Sequence, residues 1–244
     1  MTTFRTLFLT LLLPVISYGQ DSSSTKSRKF FIGVNFSPDY CYRSLTKNDA
    51  SISRDQWSFI KNLEDSIYKP TFGYTTGINF YYQITKRLFV ETGIQYSQKG
   101  YMTIPILTVF NIEHNFEEAI ATNYIYFTYL DIPLRGCYTF LNGKIQIVTS
   151  AGATFSFLLK VKGKSVPELP TEAIQTKYFS SDYEFSKMNI SPTISAGIKY
   201  NVNSRINLRA EPTFRYGLIN TDPKSYAFTH LWSAGLNISF NYGF

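Results

Sequence analysis

The sequence predicts an all-β protein, an eight-stranded antiparallel up-and-down transmembrane β-barrel, preceded by an export leader. Three observations carry that prediction. Long segments alternate strictly between apolar and polar residues, short and long connections alternate along the chain, and aromatic residues gather at both ends of the apolar face. Charged residues make up only 17% of the chain, against ~25% in an ordinary soluble domain, while aromatics also reach 17%. With a mean hydropathy of −0.12, that balance suits a chain apolar on one face and polar on the other.

Taken in order, the chain opens with Arg5, the apolar run Leu7 to Ile16, and Ser17-Tyr18-Gly19. A positive, an apolar and a small-residue region in that sequence read as a signal peptide over 1–19, cleaved after Gly19. Residues 20–29 form a polar linker, and 30–244 form the outer-membrane barrel domain. No later segment is apolar for long enough to be a spanning helix.

The strands are expected over Phe30–Tyr40, Tyr74–Ile84, Leu88–Gln98, Tyr124–Phe140, Ile145–Leu159, Ile190–Val202, Ile206–Leu218 and Trp232–Phe244. The last is the clearest. Trp232, Ala234, Leu236, Ile238, Phe240, Tyr242 and Phe244 interleave with small or polar residues, the period-two signature of a strand with one wet face. Pro38, Pro192 and Pro212 each lack a ladder donor and are expected at bulges or strand ends. Three connections are short, around Lys86, Asn142 and Asn203. Four are long, about 43–70, 103–123, 162–187 and 220–229. Short periplasmic turns and long extracellular loops produce that asymmetry. Within the first long loop, Ser53 with Gln56 makes a candidate capping box, and Trp57, Ile60, Leu63 and Ile67 form a helical apolar stripe. That helix is either an exposed docking element or a lid folded over the barrel mouth. A second short helix is expected over Asn111–Ala121.

A soluble barrel would put the apolar residues inside. Against it, the polar face carries Glu91, Lys99, Asp131, Arg135, Lys199, Arg209, Glu211 and Arg215, and the apolar face carries aromatics at both strand ends. Tyr40, Tyr74, Tyr96, Tyr126, Tyr216 and Trp232 are expected in an outer girdle; Tyr82, Tyr138, Tyr200 and Tyr242 in an inner one. Glu91, Asp131 and Glu211 are expected to pair with Arg135, Lys199, Arg209 and Arg215 across the lumen. The network is either an ion path or, in so narrow a barrel, a structural plug. Cys41 and Cys137 both face inward but lie ~20 Å apart along the barrel at ~3.3 Å per residue, so they are expected unpaired.

Catalytic, metal and cofactor motifs are missing. The two histidines, His114 and His230, have no nucleophile motif near them, although Glu113, Glu117 and Glu118 neighbour His114. The formal charge of +7 comes from scattered residues rather than a dense basic run, which speaks against nucleic-acid binding. The composition thus points to a non-enzymatic membrane protein, structural or interaction-bearing through its outer loops. A solute or ion conductor, and then a barrel-embedded hydrolase or acyltransferase, are the alternatives. Its expected partners are outer-membrane lipid, the barrel assembly machinery reading the C-terminal strand, and a protein at the outer loops.

The strand Tyr129-Leu130-Asp131-Ile132-Pro133-Leu134, the following Ala151-Gly152-Ala153 and the terminal Phe244 resemble the PorT-like outer-membrane β-barrel family of Bacteroidota. The resemblance spans roughly residues 30–244 and implies the barrel fold. The founding member is linked to protein secretion and gliding, a role that strand motifs alone do not transfer.

Overall fold

In the computed structural model, residues 29–47, 53–112, 115–141, 143–169, 175–180, 184–223 and 227–244 are described. The expected leader 1–19, the linker up to residue 28, and His114 lie outside them. Ten strands form one antiparallel sheet: β1 (Phe30–Lys47), β2 (Tyr68–Gln83), β3 (Leu88–Thr103), β4 (Ile106–Ile112), β5 (Asn115–Thr139), β6 (Ile145–Pro167), β7 (Lys177–Ser180), β8 (Met188–Asn201), β9 (Ile206–Tyr216) and β10 (Ala227–Gly243). Among the described residues one helix, α1 (Arg54–Ile67), sits between β1 and β2.

Eight of these strands close a ring in the order β1-β2-β3-β5-β6-β8-β9-β10, with β10 pairing back to β1. The eight expected strands are these eight. Closure leaves no unpaired edge in the ring, as hydrocarbon surroundings require of a spanning sheet. The register fixes its geometry. Stepping across hydrogen-bonded partners from Phe31 passes Tyr81, Glu91, Arg135, Gly152, Thr193, Arg215 and Ser233, and returns to β1 at Cys41. A return ten residues further along β1 tilts the strands by about 40° and leaves ~2.5 Å of height per residue.

Three expectations need correction. Residues 111–112 and 115–121 are strand rather than helix: β4 pairs with the start of β5, from Ile106 opposite Ala121 to Ile112 opposite Asn115. β5 and β6 run for 25 and 23 residues, far past the ring, and carry β4 and β7 on their outer ends. The register breaks fall at Pro70/Tyr74 and Thr128/Tyr129 rather than at Pro38, Pro192 or Pro212. Each of those prolines removes one donor, and the ladders continue in register on either side.

α1 begins as expected. Ser53 caps the helix by accepting from the Gln56 amide at 3.2 Å, and Gln56 Oε1 accepts from the Ser53 amide at 2.9 Å. None of its residues is buried, and Phe59 and Leu63 are exposed. Of the apolar stripe, Leu63 is exposed and Trp57, Ile60 and Ile67 are half-buried, so no residue of the stripe is fully covered. The turn from β5 to β6 is closed by Gly143, whose φ of 127° suits a residue without Cβ.

Candidate functional site

Polarity runs inside out around the ring. Along β1, Asn35, Ser37, Asp39, Cys41 and Arg43 are buried, while Val34, Phe36 and Tyr40 between them are exposed. Ile94 is 59% exposed between buried Glu91 and Gln95. A water-soluble protein does not place its aliphatic residues outside and its carboxylates inside. No described helix is long and apolar enough to cross a membrane, so a crossing belongs to the strands.

Inside, the lumen is layered. At the inner end Phe31, Phe89, Cys137 and Val148 form a small apolar stopper. Above it lies the first charged layer, with Glu91 paired to Arg135 and Arg209 paired to Glu211 at 2.6 Å. The Cys137 thiol donates to Glu91 at 3.4 Å, and the Arg209 guanidinium lies 4.9 Å from the Tyr81 ring centroid. Neutral cross-links fill the middle: Asn35 to Asn237 at 3.0 Å, Gln95 to Asn79 at 2.7 Å and Thr154 to Thr193 at 2.9 Å.

A second charged layer follows ~12 Å higher, at ~2.5 Å of height per residue. Asp39 accepts from Ser37 at 2.6 Å, Thr75 at 2.6 Å and Arg215 at 3.3 Å. Asp131 accepts from Ser97 at 2.8 Å and Lys99 at 3.5 Å. An outer stopper of Phe127, Tyr129, Val161 and Leu231 closes the stack, with Phe185 edge-on to Phe127 at 5.1 Å. The voids left between these layers are small, 20 Å³ beside Tyr81 and Arg209 and 10 Å³ beside Lys99 and Tyr129. Each holds about one water. A wider recess of 370 Å³ opens at the inner mouth, around Lys144, Asn203 and Arg205.

Of the seven charges expected in the lumen, the structure brings Glu91, Asp131, Arg135, Arg209, Glu211 and Arg215 into ion pairs. Lys199 stands apart, its Nζ over the Phe89 ring at 4.7 Å and the Phe31 ring at 5.9 Å. Asp39 was missed, although it shares the parity of Asn35 and Ser37. Arg43 was missed too. It pairs with Glu64 of α1 at 2.7 Å and lies 4.0 Å from the Tyr68 ring centroid, anchoring the helix to the rim. Cys41 and Cys137 are free and buried.

The aromatic residues expected in the two girdles lie on the outward face. Tyr82 meets Phe30 at 4.9 Å and Tyr242 meets Phe244 at 5.5 Å, while Tyr138 and Tyr200 sit opposite Leu88 and Leu208 at the inner end. At the outer end Tyr40 and Phe214 flank Trp232, Tyr216 sits opposite it, and Tyr74 meets Tyr96 at 6.2 Å. Corrected for tilt, the two sets are ~24 Å apart, close to the ~25 Å apolar band of a membrane barrel. Tyr126 stands ~10 Å further out by the same scale, stacked with Tyr124.

A family model described as outer membrane protein beta-barrel domain matches residues 18–222. The chain belongs to that family. It is thus an outer-membrane barrel, and its exposed aliphatic band faces lipid. Several solved barrels are similar in shape at low identity. Neisserial surface protein A is 10% identical, with a TM-score of 0.40, covering 86% of this chain and 95% of its own. Ail, the attachment invasion locus protein of Yersinia pestis, is 11% identical, with a TM-score of 0.39, covering 88% and 99%. The outer membrane protease OmpT from Escherichia coli is 9% identical, with a TM-score of 0.42, covering 92% and 99%. No curated protein matches the chain.

His230 is held at the outer rim of this barrel. Its Nδ1 lies 3.1 Å from the Gly217 carbonyl and its Nε2 3.2 Å from Thr46 Oγ1, with the ring stacked on Tyr216. Among the described residues no carboxylate is hydrogen-bonded to it. Glu117 and Glu118 are opposite Phe110 and Val109 in the β4–β5 ladder. Among the described residues no group of metal-ligating side chains comes together.

Proposed function

We propose that this outer-membrane barrel is neither an enzyme nor a conductor, and that it acts as an interaction-bearing membrane protein of the PorT-like group. The filled lumen carries the reading: two paired-charge layers lie between two apolar stoppers, with voids of 20 Å³ beside Tyr81 and 10 Å³ beside Tyr129. An eight-stranded ring leaves room for side chains and little else. The Tyr129–Leu134 motif supports the PorT-like assignment through Asp131, the acceptor of Ser97 and Lys99. What the barrel raises outside is α1, with Phe59 and Leu63 uncovered, and the β4–β5 hairpin, with Leu107 and Val109 uncovered. These are the surfaces we assign to a protein partner. Phe244, exposed on the lipid side at the end of the last strand, suits recognition by assembly machinery.

Planar-bilayer recording of the pure protein tests the reading. A silent membrane is expected, and stable unitary steps would sink it. The enzymatic alternative is checked with His114→Ala and His230→Ala. Turnover of a lipid or peptide by the wild type that either variant abolishes would overturn the non-enzymatic assignment.

A further inference from the structure

We infer that Lys160, Lys162 and Lys164 form a ladder that binds the phosphates of lipid headgroups in the outer leaflet. The register break in β6 creates it. Tyr129 pairs with Leu158, Thr128 pairs with Lys160, and Leu159 is the extra residue between them. Up to that point the odd-numbered residues of β6, such as Phe157 and Leu159, face lipid. A strand that continued regularly would turn Val161 outward and all three lysines into the lumen, since one residue of slip exchanges the faces. Instead Val161 is buried in the outer stopper, and the lysines emerge on the outward face.

Lys160 stands at headgroup height, ~6 Å beyond the outer aromatics, and Lys162, opposite Tyr126, and Lys164 follow above it at ~11 and ~16 Å, at ~2.5 Å per residue. Lys160 and Lys162 are exposed; Lys164 lies over the rings of Tyr124 and Tyr178, at 5.7 and 5.9 Å. None of the three forms an ion pair with a described residue. Alternate residues on one strand face are ~6.6 Å apart, so adjacent ammonium groups can share one phosphate or hold two. Each ammonium carries three donors for phosphate oxygens. The interfacial position keeps the aliphatic stems beside lipid and the charges at the headgroups.

The test uses the full folded protein in nanodiscs of phosphatidylcholine, with spin-labelled phosphatidic acid and spin-labelled phosphatidylcholine as probes. Wild type is expected to prefer phosphatidic acid, and K160Q/K162Q/K164Q to lower that preference at least threefold while keeping heat-modifiable gel mobility. Lys162→Gln alone should lower it by a smaller step, and K160R/K162R/K164R should keep it. The control R54Q/K61Q/K47Q removes equal charge from α1 and the strand end, and should leave the preference unchanged. A smaller fall in the triple variant, or an equal fall in the control, overturns the proposal. So does loss of the wild-type preference in 10 mM inorganic phosphate, which would make this a free-phosphate site. None of these readouts depends on whether the barrel conducts.

Discussion

At the scale of single residues, the lumen is held by charges that have exchanged water for one another. Glu91 is fully buried and Arg135 nearly so. Arg135→Met would strand the Glu91 carboxylate, an uncompensated charge that costs about 3–5 kcal/mol. Replacing both residues by Met removes the stranded charge and should recover most of that loss. Unfolding in detergent followed by tryptophan fluorescence measures the cycle, and additive effects of the single variants would deny the coupling. Such pairs were legible because parity assigns a face: Asp131, Arg209 and Glu211 sit between outward apolar neighbours, and Glu91 and Arg135 follow outward Val90 and Leu134. Asp39 obeyed the same rule between Pro38 and Tyr40, but the weaker alternation of β1 hid it. Lys199 was misjudged for the opposite reason, since parity brings it inside without saying which layer it reaches. The cysteines make a separate prediction. Both are 0% exposed, so a water-soluble maleimide should leave the folded barrel unlabelled and modify both thiols in guanidinium. Non-reducing and reducing gels should agree.

At the scale of elements, the ring strands were readable and the outer structure was not. Lipid outside and paired polar groups inside force a contrast at every second residue, which leaves a trace in sequence. Beyond the outer girdle that force lapses. Phe116, Glu117, Glu118, Ala119 and Ile120 alternate weakly, and their β pairing is imposed by β4 rather than by a polarity pattern. Arg43 and Glu64 belonged to an expected loop, so no strand parity could join them. The helix was visible because a capping box is local, needing only Ser53 and Gln56 at the right spacing. The same locality sets its energetics. Ser53→Ala should cost α1 about 1 kcal/mol, accelerating amide exchange over residues 54–57 roughly fivefold. Because α1 buries no residue against the barrel, the unfolding transition of the barrel should stay where it is. A matching loss of barrel stability would mean that the helix packs.

At the scale of the whole molecule, the decisive property is which solvent each face meets. Ile94, Ile78 and Ile238 stand exposed on neighbouring or nearby strands of the ring, close to the middle of the apolar band. In water, replacing one exposed aliphatic residue by arginine is nearly neutral, because nothing is buried or unpaired by the change. In a bilayer the same substitution places a guanidinium at the hydrocarbon midplane and costs ~2–4 kcal/mol, falling to ~0–1 kcal/mol near the interface. Ile94→Arg should therefore destabilise the folded protein in lipid by the larger amount. Gln98→Arg, on the same face of β3 beside the outer aromatics, should cost the smaller. Equilibrium unfolding from vesicles reads both, and the difference between them measures depth rather than mutability. Equal and negligible costs at the two positions would mean that the apolar band does not sit in hydrocarbon.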